Sequence, residues 1–392
     1  MRGAYCVFFL ITVSALAQTA RLTVPIDEDR RVALPGTVSS RTHAGVDLGR
    51  VDPSRKIGPI VVLLKRTAEQ QSEVEKLIEE QRDPRSPNLH KWLTPEQYAD
   101  RFGLVEEDMS TIRSWVQSHG LSIDHSARGR NWIGFSGTAR QVESALGIQI
   151  HEYRNGAEKH FANSTEVSIP AALEPVVGAF IGLDDFQMKP RYTAPNGAGH
   201  FLAPDDLATI YDIAQLYTNG IDGTGQKIAV VGESDLEPNQ ADITAFRTKF
   251  NLPGPAPQVV LYGADPGVTG SLDEADFDLE WSAAVARKAT IIYVNSNNVE
   301  VSSIYAIDQN LAPVISRSYG VCEQEQFFLA ELYQALIQQA NTQGITYVAS
   351  SGDAGPSNCT GWFHSPVAAD EMGTNFPASI PEVTSVGGTE FN

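Results

Sequence analysis

The sequence predicts an α/β protein: a parallel sheet with helices on both faces, preceded by a separate α+β domain. Three observations lead there. Beyond residue 204, short apolar runs alternate with helical stretches; before residue 186, strand-like runs and Glu/Gln/Arg-rich helices mix without that regular alternation. Between them, residues 187–203 carry Pro, Gly and polar side chains with no periodicity, as an exposed linker does.

The elements follow in chain order. Arg2, the apolar run Val7–Leu16 and the small-x-small pattern Ala15-Leu16-Ala17 read as a secretory signal over residues 1–17; a membrane anchor is the alternative, and the run is short of the roughly 20 residues a spanning helix needs. Residues 18–186 hold strand runs at Ile60–Leu64, Trp132–Ser136 and Ile148–Tyr153. Helices there fit Glu69–Gln81, Val105–His119 and Ala139–Leu146. The linker is the natural place for a protease to cut. Residues 204–392 hold strand runs at Lys227–Gly232, Gln258–Tyr262, Thr290–Val294, Pro313–Ser318, Tyr347–Ser351 and Val383–Val386. Helices fit Gln240–Phe250, Asp273–Lys288, Ser303–Asn310 and Gln324–Thr342. That alternation is the pattern of a parallel sheet buried on both sides.

Charge divides the chain in the same place. Residues 1–191 carry 23 basic and 24 acidic side chains, whereas residues 192–392 carry 6 and 24, within a net charge of -19. Such an acidic balance argues against nucleic acid or an anionic membrane as the partner. Six histidines fall in the first half and only His200 and His364 in the second. Acidification is therefore expected to charge the first half before it neutralises the second. Of three cysteines, Cys6 lies in the signal, and Cys322 and Cys359 remain as a disulfide or as two free thiols.

In a parallel sheet the chemistry sits beyond the C-terminal strand ends. Gly232-Glu233-Ser234, Arg317-Ser318-Tyr319-Gly320 and Ser351-Gly352-Asp353-Ala354-Gly355 occupy three of these ends. Gly223-Thr224-Gly225 precedes its strand and so reads as a turn, since a phosphate-binding glycine loop must follow one. Within Asp273–Trp281, Glu274 and Asp278 are four residues apart and share a helix face, either as an acidic solvated surface or as a carboxylate pair.

Several ordered motifs together carry a resemblance. Glu274-x-x-x-Asp278, Ser351-Gly352-Asp353-Ala354-Gly355, Phe376-Pro377-Ala378-Ser379 and Val386-Gly387-Gly388-Thr389 resemble the sedolisin family of serine-carboxyl peptidases. Ala203-Pro204-Asp205-Asp206-Leu207 and Ile210-Tyr211-Asp212-Ile213 resemble the start of its catalytic domain, and Leu89–Tyr98 with Phe102-Gly103 its activation propeptide. The resemblance covers about residues 22–392 and implies a subtilisin-like fold behind a ferredoxin-like propeptide. That propeptide would be chaperone and intramolecular inhibitor until acid-triggered self-cleavage in the linker. It also implies an endopeptidase acting on peptide or protein substrates, and the signal reading makes it a secreted one.

By the resemblance, Glu274 would be the general base for a serine nucleophile, Asp278 would orient and polarise it, and Asp353 would be the oxyanion-hole acid. Ser318, Tyr319 and Gly320 would form the edge that pairs with substrate backbone. A carboxylate base with a pKa of roughly 4 stays competent in acid, where an imidazole of about 6.5 is protonated. Asp353 must hold its proton to donate to the oxyanion, and burial would favour that. The family's Gly-Thr-Ser nucleophile segment and its calcium-binding loop are not found after Val386–Thr389, and Gly388-Thr389-Glu390 is not that motif. The catalytic domain is therefore expected to be incomplete over 204–392, with calcium implied but no ligand for it to name. The alternative function is an inactive secreted fragment whose propeptide half binds or inhibits a related peptidase.

Overall fold

The computed structural model describes residues 18–186, 201–353, 355 and 373–389. The first unit is built on a four-stranded antiparallel sheet of β1 (Lys56–Leu64), β2 (Ser122–Ser126), β3 (Trp132–Thr138) and β4 (Val177–Ile181) in the order β2-β3-β1-β4. Helices α1 (Ala68–Arg82), α2 (Pro95–Phe102) and α3 (Glu106–Ser118) connect β1 to β2, and α4 (Ala139–Leu146) connects β3 to β4. This chain order and strand order are those of a ferredoxin-like split β-α-β fold. Thr67, Thr94 and Thr138 start α1, α2 and α4 with reciprocal capping boxes to Gln70, Gln97 and Gln141.

The expected helices α1, α3 and α4 are found to within one residue at each end. Strands β2 and β4 and helix α2 were not expected. Ser122–Ser126 is polar at every position but Ile123, as suits an edge strand, and α2 is a short helix whose buried face is Pro95, Tyr98, Ala99 and Phe102.

Strand β1 is buried along nearly its whole length because both faces of its sheet are covered. Ile60, Val62 and Leu64 enter the unit's own core with Ile112, Trp115 and Val142. Their alternates Val61 and Leu63 join Trp132, Ala179 and Ile181 in a core shared with Val299, Ile304, Leu336 and Ile337 of the second unit. The period-2 geometry of a strand thus divides one apolar run between folding the unit and docking it.

The second unit is a six-stranded, wholly parallel sheet: β5 (Lys227–Gly232), β6 (Gln258–Leu261), β7 (Thr290–Asn295), β8 (Val314–Arg317), β9 (Thr346–Ser350) and β10 (Thr384–Val386), in the order β6-β7-β5-β8-β9-β10. All six expected strands are present. One face carries α5 (Ala241–Lys249) and α6 (Leu272–Val285), packed through Ile243, Ala275, Leu279 and Ala283 on Val230, Ile291 and Tyr293. The other carries α7 (Val299–Asp308) and α8 (Phe327–Thr342), which lie between this sheet and that of the first unit. Helix α7 begins four residues before the expected Ser303, because Asn298 caps it by accepting from the amides of Glu300 and Val301.

Polar contacts fix the register of the two units. Asp308, fully buried at the end of α7, accepts from the Gly129 amide at 3.0 Å and lies 3.1 Å from His125 Nε2. Asn131 donates to Gln339 Oε1, Arg66 to Gln338 Oε1, and the Leu93 amide to the Thr342 carbonyl. The His125 ring stacks on Trp132, 4.8 Å between centroids, and meets Tyr262 and Tyr305 edge-on. The histidines are therefore not a uniform charge layer facing the acidic half. His119, His151 and His160 pair with Glu28, Asp47 and Asp185 inside their own unit, and His125 alone of these four reaches across.

Among the described residues no helix is long and apolar enough to cross a membrane. The expected signal 1–17 and most of the linker, 187–200, lie outside the described residues.

Candidate active site

Glu274 and Asp278 stand on the first two turns of α6, on the face toward the sheet, so the carboxylate-pair reading replaces that of a solvated acidic surface. Glu274 is 2% exposed. The helix begins at Ser271, and acidic side chains in its first turn suit the positive end of the helix dipole. Burial outweighs that contribution. It pushes the Glu274 carboxyl from an ordinary 4.5 up to about 8, with the neighbouring charge of Asp278 adding to the rise and a hydrogen bond from Ser318 opposing it. Burial likewise raises Asp278 from 3.8 to about 7, again opposed by Ser318.

The expectation of a carboxyl with a pKa near 4 is therefore corrected in direction: in this arrangement the Glu274 carboxyl is pushed well above that range. The reason is the exclusion of water from a pair of like charges one turn apart.

Ser318 follows β8 directly and donates its hydroxyl to Asp278 Oδ1 at 2.7 Å. Its position is fixed from both sides. The preceding Arg317 is 1% exposed and donates through Nε to the Tyr319 carbonyl at 2.8 Å, through one terminal nitrogen to Tyr333 Oη at 2.6 Å, and through the other to Glu300 Oε1 at 3.3 Å. The following Tyr319 is 1% exposed, and its hydroxyl donates to the carbonyl of Ser271 at 3.5 Å, tying the β8 end to the start of α6. At Gly320 a Cβ would collide with the side-chain amide of Asn375, so the close approach there requires glycine. Val321 and Cys322 then pair antiparallel with Phe376 and Asn375.

Asp353 follows β9, after Gly352 at φ +96, and its charge acts on Glu274. The three carboxylates that the spacing singled out are thus brought to one end of the sheet. Asp353 is exposed, which corrects the expectation that it is buried. It sits just beyond the strand end.

Cys322 is disulfide-bonded, while Cys359 lies outside the described residues. Glu274 Oε2 and Asp278 Oδ2 have no hydrogen-bond partner among the described residues, which leaves the pair with open acceptors. No residue pattern marks Ser318 as acting through its hydroxyl, nor Arg317 and Glu300 as a buried ion pair beneath it. The nearest signal was the run Arg317-Ser318-Tyr319-Gly320 at a strand end.

A second group of carboxylates lies deeper. Glu233, 1% exposed, accepts from the Val299 amide at 3.4 Å, and burial together with Glu300 holds its carboxyl well above the usual range. With Asp184, Arg41 and Glu300 it lines a cavity of about 70 Å³ between the two units.

The Pro-kumamolisin activation domain model matches residues 43–186. Kumamolisin of Bacillus sp. (strain MN-32) is 26% identical over 391 residues, covering 93% of this chain and 68% of its own. Tripeptidyl-peptidase 1 of Rattus norvegicus is 27% identical over 405 residues, covering 96% of this chain and 68% of its own. The chain thus spans about two thirds of the length of these relatives. Among solved structures, Pseudomonas sedolisin, a serine-carboxyl proteinase complexed with two molecules of pseudo-iodotyrostatin, aligns at 19% identity with a TM-score of 0.42, covering 50% of this chain and 56% of that one.

Proposed function

The chain belongs to the sedolisin family and carries that family's activation propeptide, and from this premise we propose that it is a secreted, acid-acting serine-type endopeptidase zymogen. Residues 18–186 are the propeptide, docked by a sheet face on α7 and α8; residues 204–392 belong to the peptidase unit. Glu274 is the general base, Asp278 orients it, Asp353 donates to the oxyanion, and the 318–320 segment binds substrate backbone.

The observation that carries this reading is the buried pair on α6 with its open acceptor. A nucleophilic hydroxyl donating to Glu274 Oε2 would stabilise the carboxylate and bring its proton affinity down toward the acid range. In the docked arrangement, burial and the neighbouring Asp278 charge hold the Glu274 carboxyl well above its ordinary range, which favours its protonated form.

The nucleophile is assigned to no residue of this sequence, which lacks the Gly-Thr-Ser segment. Calcium is proposed on family grounds. Among the described residues no group of three or more His, Cys, Asp or Glu side chains is placed to hold a metal ion.

The test is peptide hydrolysis at pH 3–5 by the protein expressed with whatever follows Asn392 in its own reading frame. Turnover is expected in the wild type, with Glu274→Gln lowering kcat at least about 1,000-fold. Turnover retained by Glu274→Gln would contradict the assignment. No turnover in any form, together with tight binding of a related peptidase by the 392-residue chain, would favour the alternative of a fragment that binds or inhibits in trans.

A further inference from the structure

Where the two units meet, glycines on one stand opposite bulky side chains on the other. A Cβ at Gly134 of β3 would fall on the Tyr262 hydroxyl, and one at Gly263 would come within 2.7 Å of the Pro59 ring. Tyr262 and Gly263 follow β6 directly, while Pro59 and Gly134 lie on the neighbouring strands β1 and β3. Each unit thus brings one projection and one socket to the same spot. Gly263 has φ +82, which by itself calls for glycine, whereas Gly134 has no positive φ. Nothing inside the first unit needs glycine at 134 either: a Cβ there would meet Trp132 at 3.4 Å and His125 at 3.8 Å, ordinary contact distances. Glycine inside a strand weakens it and marks a place where another group approaches closely.

The approaching group cannot swing aside. The Tyr262 ring stacks on Tyr305 of α7, 4.5 Å between centroids and 11° between planes, and meets His125 and Trp132 edge-on. It is 8% exposed, and its hydroxyl has no hydrogen-bond partner among the described residues. Shape rather than a bond therefore places that hydroxyl over Gly134. By contrast, the Leu332 and Gln339 side chains that face Gly178 and Gly129 end in rotatable groups able to give way.

We propose that Gly134 is the specificity determinant of propeptide docking: its missing side chain is the socket for Tyr262. The face then accepts a peptidase unit with tyrosine, or the shorter phenylalanine, at this strand end, and a propeptide with any side chain at 134 does not seat. The inference rests on the reading of residues 18–186 as a propeptide and is independent of which residue is the base.

Amide hydrogen exchange of the 392-residue chain tests it in Gly134→Ala, Tyr262→Phe and the double variant. The Leu93 amide, bonded to the Thr342 carbonyl, and the Gly129 amide, bonded to Asp308, report docking, whereas the β1–β3 ladder reports the first unit's own fold. Gly134→Ala is expected to speed exchange at Leu93 and Gly129 at least about 10-fold and to leave the ladder protected. Tyr262→Phe removes only the unpartnered hydroxyl and should exchange as the wild type does; the double variant should return to within about 2-fold of it. Wild-type exchange in Gly134→Ala, or a double variant no better than Gly134→Ala, would overturn the proposal. Faster exchange in Tyr262→Phe alone would also overturn it, because the hydroxyl would then hold the units by a bond. If Gly134→Ala loses ladder protection too, the double variant decides: restored protection supports the socket, and continued loss overturns it by placing the clash inside the first unit. Hydrolysis is not read, so failure of the base assignment shows separately, as turnover retained by Glu274→Gln.

Discussion

Arg317→Ala is expected to destabilise the second unit by about 3–5 kcal/mol, enough to consume much of the stability of an ordinary domain. Arg317 is buried at the end of β8, and its guanidinium serves the Tyr319 carbonyl, the Tyr333 hydroxyl and the Glu300 carboxylate. The alanine variant leaves Glu300, itself 6% exposed, as a buried charge without that cation, and two further acceptors without their donor. Adding Glu300→Gln to Arg317→Ala should recover part of the loss, because the isolated charge is then gone. Denaturant unfolding of the three variants measures this. A cost below 1 kcal/mol for Arg317→Ala, or no recovery in the double variant, would show that the pair does not organise the strand end. The turn carrying Ser318 should loosen with it, so the same variant is expected to disturb the carboxylate pair without touching it.

Raising the pH from 5 to 8 is expected to destabilise the second unit, and Glu274→Gln to remove much of that loss. A carboxyl whose folded pKa lies above its unfolded one binds its proton more tightly when folded. Its stabilising contribution is complete below the unfolded pKa and is lost as pH rises through the folded one. For Glu274 that window runs from 4.5 to about 8, and for Asp278 from 3.8 to about 7. At 1.36 kcal/mol per pH unit, Glu274 alone accounts for roughly 4 kcal/mol at pH 8. Asp276 and Glu280, raised to about 6 and 7 on the same helix, add to the slope and remain in the variant. Glu274→Gln should therefore be more stable than the wild type at pH 8 by on the order of 3 kcal/mol, and nearly equal to it at pH 4. A wild type more stable at pH 8 than at pH 5 would mean that the pair is not buried as described.

The fold was legible where burial is two-sided and the pattern repeats. Lys227–Gly232 and Thr290–Asn295 are continuous apolar runs because helices cover both faces, and such runs announce strands of a parallel sheet. The edge strand Ser122–Ser126, with only one neighbour to pair with, carries no such mark. That β1 divides its side chains between two cores was hidden for a different reason. Val61 and Leu63 look the same in sequence as Ile60 and Val62, and only the docked second unit distinguishes them.

At the site, the i,i+4 spacing placed Glu274 and Asp278 on one face, and the glycines around Asp353 marked its turn. Proton affinity could not be read in this way, because it depends on which groups exclude water from the pair. Burial moves the Glu274 carboxyl up and out of the expected acid range. The role of Ser318 was equally out of reach, since it depends on β8 ending opposite the start of α6, 40 residues away in sequence.

If a docked propeptide silences a peptidase whose base is Glu274, acid should induce a self-cleavage that mass-spectrometric mapping of the fragments detects. The protein expressed from its own reading frame is acidified from neutral pH to about pH 4 and its fragments are identified. Cleavage within residues 187–203, releasing the propeptide, is expected in the wild type, and an intact chain for Glu274→Gln under the same conditions. Cleavage at the same bonds and the same rate in Glu274→Gln would contradict it.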